Sequence, residues 1–192
     1  MVSRNDLTAT QVRQLLAYKD ESIDKVIASK WGIVQETPAE KAKAIAMWKQ
    51  RLIPEYLKSY DHDNGAALFK KTCANCHKLY GEGGTIGPDL TGGNRNNMDY
   101  LLGNIVDPSQ VVPKQFTMST LALKSGRVIN GVVIAETKET VTVQTEKELL
   151  KISASEIEDR RQSGKSLMPD GLLDNLNDVE VRNLIGFLMQ RR

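Results

Sequence analysis

The segment Cys73-Ala-Asn-Cys76-His77 constrains this chain more than any other, because it holds both cysteines and one of the two histidines. The residues before it have helical spacing, and two thiols three residues apart lie on one side of a helical turn. His77 follows the second thiol directly. The fold therefore has to be built around whatever these three side chains bind.

Four kinds of site could use this cluster. Cys-x-x-Cys-His is the attachment signature of c-type haem: each thiol adds to one porphyrin vinyl group, and the imidazole of His77 lies beneath the ring, where it can bind iron. A zinc site would need Cys73, Cys76, His77 and His62, although structural zinc sites usually use two spaced pairs. A redox dithiol normally follows a strand, and a disulfide closing so short a loop removes little chain entropy. The motif favours haem, with the other three as alternatives.

The charge balance excludes several partner classes. The chain has 26 basic and 24 acidic residues, so it lacks the concentrated basic field of a nucleic-acid binder. No apolar run approaches the roughly 20 residues of a membrane span. The start, MVSRNDLTAT, has no apolar signal segment. We therefore expect either a cytoplasmic protein or a longer protein whose leader or preceding domains are not in this sequence.

The periodicity changes twice along the chain. Residues 1–60 predict a helical extension, and residues 61–192 predict a second domain interrupted by a β-rich insertion at 114–162. Within the second domain, Asp63 or Asn64 is expected to cap a short helix leading into the cysteines. A further helix is predicted over 98–106, and the last begins at the capping sequence NDVE, residues 177–180.

Without the insertion, the second domain is small and poor in aromatic residues, which make up 5% of the chain. Small scaffolds of this kind usually need a staple or a cofactor to be stable. A covalently held macrocycle would supply the missing apolar mass, which favours the haem interpretation.

Several segments resemble the class I cytochromes c. GAALFKKTCANCH is similar to their first helix, in which Gly65 meets the aromatic of a terminal helix such as LIGF, residues 184–187. GPDLTG resembles the loop in which the carbonyl of Pro88 accepts a hydrogen bond from the His77 ring while Leu90 packs on the haem edge. SLMP resembles the distal segment, with Met168 as the sixth iron ligand. The resemblance implies a mainly α, cytochrome c-like fold carrying a small β-sheet or barrel insertion, α+β overall.

More narrowly, residues 62–192 resemble a cytochrome domain found at the C-terminus of large planctomycete and verrucomicrobial proteins. The matching pieces include YLLGNIVDPS and SLMPDGL. The chain departs from ordinary class I cytochromes by placing the β-rich residues 114–162 between the middle helix and the methionine segment. The resemblance to class I cytochromes c therefore does not fix the position of Met168 relative to the cysteine motif.

The sixth ligand has several candidates besides Met168. Met168 lies in an irregular Ser/Gly/Pro stretch, where the backbone can approach a ring and Pro169 limits local freedom. His62, at a helix start, is the alternative distal ligand, and the position could also be open. The remaining methionines considered fall in predicted helices or a strand: Met47, Met98, Met118 and Met189.

The resemblance implies a monohaem c-type cytochrome that transfers one electron through haem joined to Cys73 and Cys76, with His77 and Met168 on the iron. It implies no catalytic residues, a periplasmic or exported location, and a redox partner protein or an upstream dehydrogenase domain of a larger oxidoreductase. The alternatives are a haem protein with an open distal side, for ligand sensing or peroxidase-like chemistry, and a zinc-stabilised interaction module. RNA binding by the insertion is disfavoured because residues 115–162 hold equal numbers of basic and acidic residues.

Overall fold

The computed structural model describes residues 9–16, 18–30 and 32–190. Its helices are α1 (Ala9–Leu16), α2 (Glu21–Lys30), α3 (Ala39–Arg51), α4 (Pro54–Leu57), α5 (His62–Thr72), α6 (Met98–Val106) and α7 (Asp178–Met189). Its strands are β1 (Gly32–Val34), β2 (Lys78–Leu79), β3 (Glu82–Gly83), β4 (Val111–Pro113), β5 (Thr117–Leu123), β6 (Val128–Glu136), β7 (Thr140–Gln144), β8 (Leu149–Ser153) and β9 (Ile157–Ser166). Helices and an antiparallel sheet are both present, as expected for an α+β chain.

The described residues form two compact units, each built from two separate segments. One unit combines the residues up to Gln35 with Val111–Met168, and the other combines Glu36–Gln110 with the residues from Pro169 onward. The predicted division into 1–60 and 61–192 groups the segments differently and stays a prediction. Residues 1–8 of that predicted extension lie outside the described residues.

The unit that contains residues 111–168 is built on a five-stranded antiparallel sheet with the order β8-β7-β6-β5-β9. Apolar residues alternate along its strands, which places one set on a single face. Those residues form a core of their own, comprising Leu121, Leu123, Ile129, Val141, Val143 and Ile152. A second cluster, Val12, Ile27 and Val111, joins α1 and α2 to the start of β4.

Two sequence predictions about this unit need correction. The N-terminal extension is not wholly helical, because β1 pairs with β4, with Val34 opposite Val111. The sheet has a fifth strand, β9, which pairs with β5 and continues to Ser166, four residues past the predicted end of the insertion at 162. Most of β9 is exposed and polar, so it lacks the apolar alternation that predicts a strand.

The unit that contains the cysteines is built from α3–α7 and the short β2–β3 hairpin. Helix α7 crosses α5 at Gly65, where an added Cβ would lie 2.7 Å from Cβ of Phe187. The rings of Phe69 and Phe187 pack beside this crossing with centroids 5.7 Å apart. The predicted meeting of Gly65 with the aromatic of LIGF is confirmed.

The helix starts show which local signals were sufficient. The predicted helix over 98–106 is confirmed as α6, and the cap at Asn177 is confirmed as a capping box with Glu180. The predicted cap of α5 at Asp63 or Asn64 is wrong, because Asp61 is the cap and accepts a bond from the backbone nitrogen of Asn64 at 2.9 Å. Asp63 instead lies in the first turn, where a negative charge favours the helix dipole.

Candidate functional site

The end of α5 places both thiols in one tight turn. Cys73 is the C-cap of α5, and its carbonyl accepts bonds from the backbone nitrogens of Cys76, at 3.1 Å, and His77, at 2.9 Å. Both cysteines are half-buried, and neither forms a disulfide. The turn therefore keeps the two sulfurs and the imidazole within one short segment, as covalent attachment to a single flat ring requires.

Burial affects the first thiol strongly. Desolvation, with a smaller contribution from neighbouring Cys76, raises the pKa of Cys73 to about 12. A thiolate is disfavoured there because an apolar surrounding penalises the charged form. In the folded chain Cys73 is thus a neutral thiol at physiological pH rather than a reactive nucleophile.

The orientation of His77 is fixed by one hydrogen bond. Its Nδ1 lies 2.9 Å from the carbonyl oxygen of Pro88. A carbonyl can only accept, so Nδ1 carries the proton and Nε2 keeps the lone pair that can bind a metal. The same bond that orients the ring therefore also selects the ligating nitrogen.

A glycine-rich loop encloses the cysteine turn. Backbone bonds join it to the motif from Gly84 to the carbonyl of Ala74, at 2.7 Å, and from Gly87 to the carbonyl of Cys76, at 2.8 Å. A Cβ added at Gly87 would lie 2.6 Å from Cε1 and 2.8 Å from Nδ1 of the His77 ring. Only a residue without a side chain lets the loop pass so close to the imidazole.

The arrangement fits a haem on three observations. Two thiols outside any disulfide lie three residues apart, one imidazole nitrogen is oriented to bind iron, and the loop leaves the ring no room to rotate towards Gly87. In addition, Leu90 is half-buried and its backbone nitrogen donates to the carbonyl of Lys78 at 2.8 Å. Contact of Leu90 with a haem edge stays a prediction.

Met168 belongs to the other unit, of which it is the last residue. Its side chain is half-buried, and its backbone nitrogen donates to the hydroxyl of Ser166 at 3.1 Å. Pro169 begins the next segment of the cysteine-containing unit. The role of Met168 as an iron ligand stays a prediction.

His62 has a local structural role at the first turn of α5. Its ring packs edge-on against Phe187, with centroids 5.4 Å apart, and its Nδ1 lies 3.2 Å from a carboxylate oxygen of Asp63. Within residues 9–16, 18–30 and 32–190, no three His, Cys, Asp or Glu side chains come together in a way that could hold a metal ion. The four-ligand zinc set containing His62 is therefore not assembled in this part of the chain.

Arg95 is a central residue of this site that the sequence reasoning missed. Its side chain is 6% exposed and donates to oxygen atoms on two separate segments. The acceptors are the carbonyls of Leu90 (2.7 Å), Thr91 (3.3 Å), Leu188 and Gln190 (3.0 Å) and the hydroxyl of Tyr80 (2.9 Å). Its only sequence signal is that it is the lone charge in the segment TGGNRNNM.

These bonds connect the loop that holds His77 to the end of α7. Arg95 holds Leu90 on the loop and the last carbonyls of α7, where a cation is also favoured by the helix dipole. Tyr80 reinforces the connection by donating to the carbonyl of Gln190 at 2.8 Å. The geometry around His77 thus depends on a residue that touches neither the imidazole nor the thiols.

Residues 62–120 match the family model of cytochrome c. The match covers α5, the cysteine turn, the glycine-rich loop and α6, and it ends within β5. It shows a haem-binding c-type cytochrome domain, and the cofactor of that domain is covalently attached haem c. No curated protein matches the chain.

The match does not extend to Met168, which lies beyond residue 120. The identity of the sixth iron ligand therefore stays a prediction. In the described ranges 9–16, 18–30 and 32–190, no helix is long and apolar enough to cross a membrane.

Proposed function

We propose that this chain is a one-electron carrier that holds one haem c through thioethers to Cys73 and Cys76, with His77 and Met168 as axial ligands. The bond from Nδ1 of His77 to the carbonyl of Pro88 is the observation that carries this proposal, because it leaves Nε2 free for iron. Bound haem supplies a couple between ferric and ferrous iron. The surrounding residues hold the ligands still, so that an electron can pass with little rearrangement.

Each residue has a defined task in this proposal. Cys73 and Cys76 would hold the haem through two thioether bonds, each formed by addition of one S–H bond across a vinyl group. Pro88 orients the proximal imidazole, and Leu90 covers the haem edge. The thioether of Met168 is a soft ligand that favours ferrous iron and so raises the reduction potential.

The setting of the carrier follows from its cofactor. We propose that the domain works in the periplasm or otherwise outside the cytoplasm, as the electron relay of a larger exported oxidoreductase of the planctomycete or verrucomicrobial type. Its partner is then a redox protein or a dehydrogenase domain that precedes it. The support for this context is the resemblance of residues 62–192 to such C-terminal domains.

Mass spectrometry under denaturing conditions tests the covalent attachment. We expect protein matured in a host that attaches haem c to retain one haem mass after unfolding, because a thioether bond survives denaturation. A Cys73→Ala/Cys76→Ala variant should lose that mass. Unmodified wild-type protein from such a host would overturn the proposal, and a zinc ion lost on unfolding would favour the interaction module.

The distal ligand is tested by Met168→Ala, with Met47→Leu as the matched control on α3. We expect Met168→Ala to remove the red absorption band of thioether-ligated ferric iron and to lower the reduction potential, whereas Met47→Leu should change neither. An unchanged spectrum in Met168→Ala would show that another group, or none, occupies the sixth position. High-spin bands in the wild-type protein would favour the open-sided alternative.

A further inference from the structure

Lys41 on α3 links two carboxylates that come from different parts of the chain. Its Nζ lies 3.0 Å from Oδ1 of Asp107 and 2.7 Å from Oδ1 of Asp170. The lysine side chain is 20% exposed, Asp107 is 3% exposed, and Asp170 is 61% exposed. One ammonium group thus spans a buried and an exposed acceptor.

Asp107 explains why the ammonium is held at this place. It is the C-cap of α6, and its Oδ2 is buried without a hydrogen-bond partner among the described residues. A buried carboxylate needs a cation close to it, because desolvation otherwise disfavours its charge. Asp107 therefore fixes the ammonium of Lys41 at the end of α6, and Asp170 meets a cation that is already in position.

Asp170 lies in the segment that directly follows Met168. Two further features shape this segment: the backbone nitrogen of Asp174 donates to the carbonyl of Gly171 at 3.0 Å, and Leu173 is buried. Gly171 has a φ of +75°, the left-handed conformation that closes such a turn. Along the sequence, Asp170, which forms the bridge to Lys41, is therefore nearer to Met168 than Gly171 of the turn or the buried Leu173.

Packing leaves space on the α3 side of this segment. A cavity of about 290 Å³ lies between α3, the end of α6 and residues 170–174, and Lys41 and Trp48 are among its lining residues. Packing between α3 and this segment is therefore incomplete, although Leu173 itself is buried. The charged bridge therefore carries a larger share of the segment's anchoring than it would in a filled interface.

We propose that Lys41 is a positioning residue for the distal ligand: by bridging Asp107 and Asp170, it fixes the segment after Met168 and so keeps the thioether on the iron. This inference rests on the proposed role of Met168. It gives a function to α3, which lies outside the matched cytochrome c residues.

The charge state of Lys41 is consistent with this role. Burial lowers the pKa of its ammonium, but the hydrogen bonds and negative charges of Asp170 and Asp107 together outweigh burial and raise the pKa above its usual value. The lysine is therefore a cation throughout the physiological range, and the bridge persists there.

Binding of imidazole to the ferric holoprotein tests the bridge. At high imidazole concentration, the observed rate is limited by release of the native sixth ligand from iron. We expect Asp170→Asn and Lys41→Gln each to raise this limiting rate about fivefold, a modest factor because one side of the bridge is exposed. The double variant should add little to either, because both changes cut the same link.

Lys43→Gln is the matched control, because Lys43 lies on the same helix with an exposed side chain. It should leave the limiting rate unchanged. If Lys41→Gln does not fold, Asp170→Asn alone tests the bridge. This variant removes the carboxylate at residue 170 and leaves the ion pair between Lys41 and Asp107 in place. Wild-type rates in Asp170→Asn, in a protein whose Met168→Ala variant has lost thioether ligation, would overturn the bridge alone. An unchanged ferric spectrum in Met168→Ala would overturn the distal assignment and the bridge together.

Discussion

At the scale of single residues, the space around His77 is as important as its hydrogen bond. Gly87 passes so close that an added methyl group would meet the ring at Cε1 and Nδ1. The loop backbone at Gly87 is itself tied to the carbonyl of Cys76 at 2.8 Å. Neither the ring nor the loop can therefore move away without losing a bond.

We expect Gly87→Ala to tilt the imidazole and weaken its bond to Pro88. Because that bond raises the basicity of the ligating nitrogen, its loss should shift the reduction potential upwards, measured by redox titration of the holoprotein. Gly92→Ala is the control, since a Cβ at Gly92 meets nothing within 4 Å. Equal potentials in the two variants would contradict the steric argument.

Arg95 also acts at the residue scale, through the number of acceptors it serves. Arg95→Met would remove five hydrogen bonds, including the buried one to the carbonyl of Leu188, which should lower the free energy of unfolding by about 3 kcal/mol. Arg95→Lys should recover part of this loss, since an ammonium cannot reproduce the planar fork of donors. Denaturant unfolding of the holoprotein, followed by circular dichroism, measures both.

The control for Arg95 is Arg161→Met on the exposed side of β9, where Arg161 is 83% exposed. Its change in unfolding free energy should stay below about 0.5 kcal/mol. A similarly small change in Arg95→Met would mean that water satisfies the carbonyls once the guanidinium is gone.

At the scale of elements, the crossing of α5 and α7 depends on a residue with no side chain. A Cβ at Gly65 would collide with the carbonyl oxygen of Asn183 and with Phe187. The crossing point is also tied by the bond from Nδ2 of Asn183 to Oδ1 of Asn64, at 3.0 Å. The helices are thus held at a separation that a methyl group does not permit.

We therefore expect Gly65→Ala to destabilise the holoprotein by about 1–3 kcal/mol through overpacking, despite the better helix propensity of alanine, which is worth up to about 1 kcal/mol. Thermal unfolding monitored at the haem absorption band measures the net effect. A stabilised Gly65→Ala variant would show that propensity outweighs the collision and that α7 can shift.

Local signals predicted some elements and missed others for physical reasons. The bounds of α6 and the capping box at Asn177 could be predicted, because a periodic apolar face and a polar cap are visible in a short window. Strand β9 could not, because its segment IEDRRQSGKS is mainly exposed and is a strand only through pairing with β5. Tertiary pairing overrides local preference there.

The candidate site shows the same contrast. Cys73, Cys76 and His77 are adjacent in sequence, so their chemistry could be inferred from one motif. Arg95 and Lys41 act on residues far away along the chain, as in the bond from Arg95 to the carbonyl of Leu188. No local pattern encodes such partners, and only the folded arrangement identifies them.

At the scale of the whole molecule, the two units differ in what their cores contain. The sheet has a hydrophobic core of its own, in which Leu121 and Val143 are fully buried. The cysteine-containing unit packs α5 against α7 through Phe69 and Phe187 and, with haem c attached, gains a further large apolar group. Removing the cofactor should therefore affect the two units unequally.

Hydrogen exchange on the Cys73→Ala/Cys76→Ala variant measures this difference. We expect amides of α5 and α6 to lose most of their protection, because the haem contributes to their packing, whereas amides of β7 around Val141 and Val143 keep theirs. Mass spectrometry of peptides resolves the two regions. Equal loss in the sheet would show that it too depends on the cofactor.

The order of segments along the chain has a consequence for how the mature protein is made. The cysteine-containing unit is closed by residues from Pro169 onward, yet its thiols lie at positions 73 and 76. Once the unit has closed, Cys73 is a half-buried thiol with a pKa of about 12 and is slow to react. A chain delivered from its N-terminus exposes both sulfurs before α7 has emerged, so attachment is favoured in the interval between those two events.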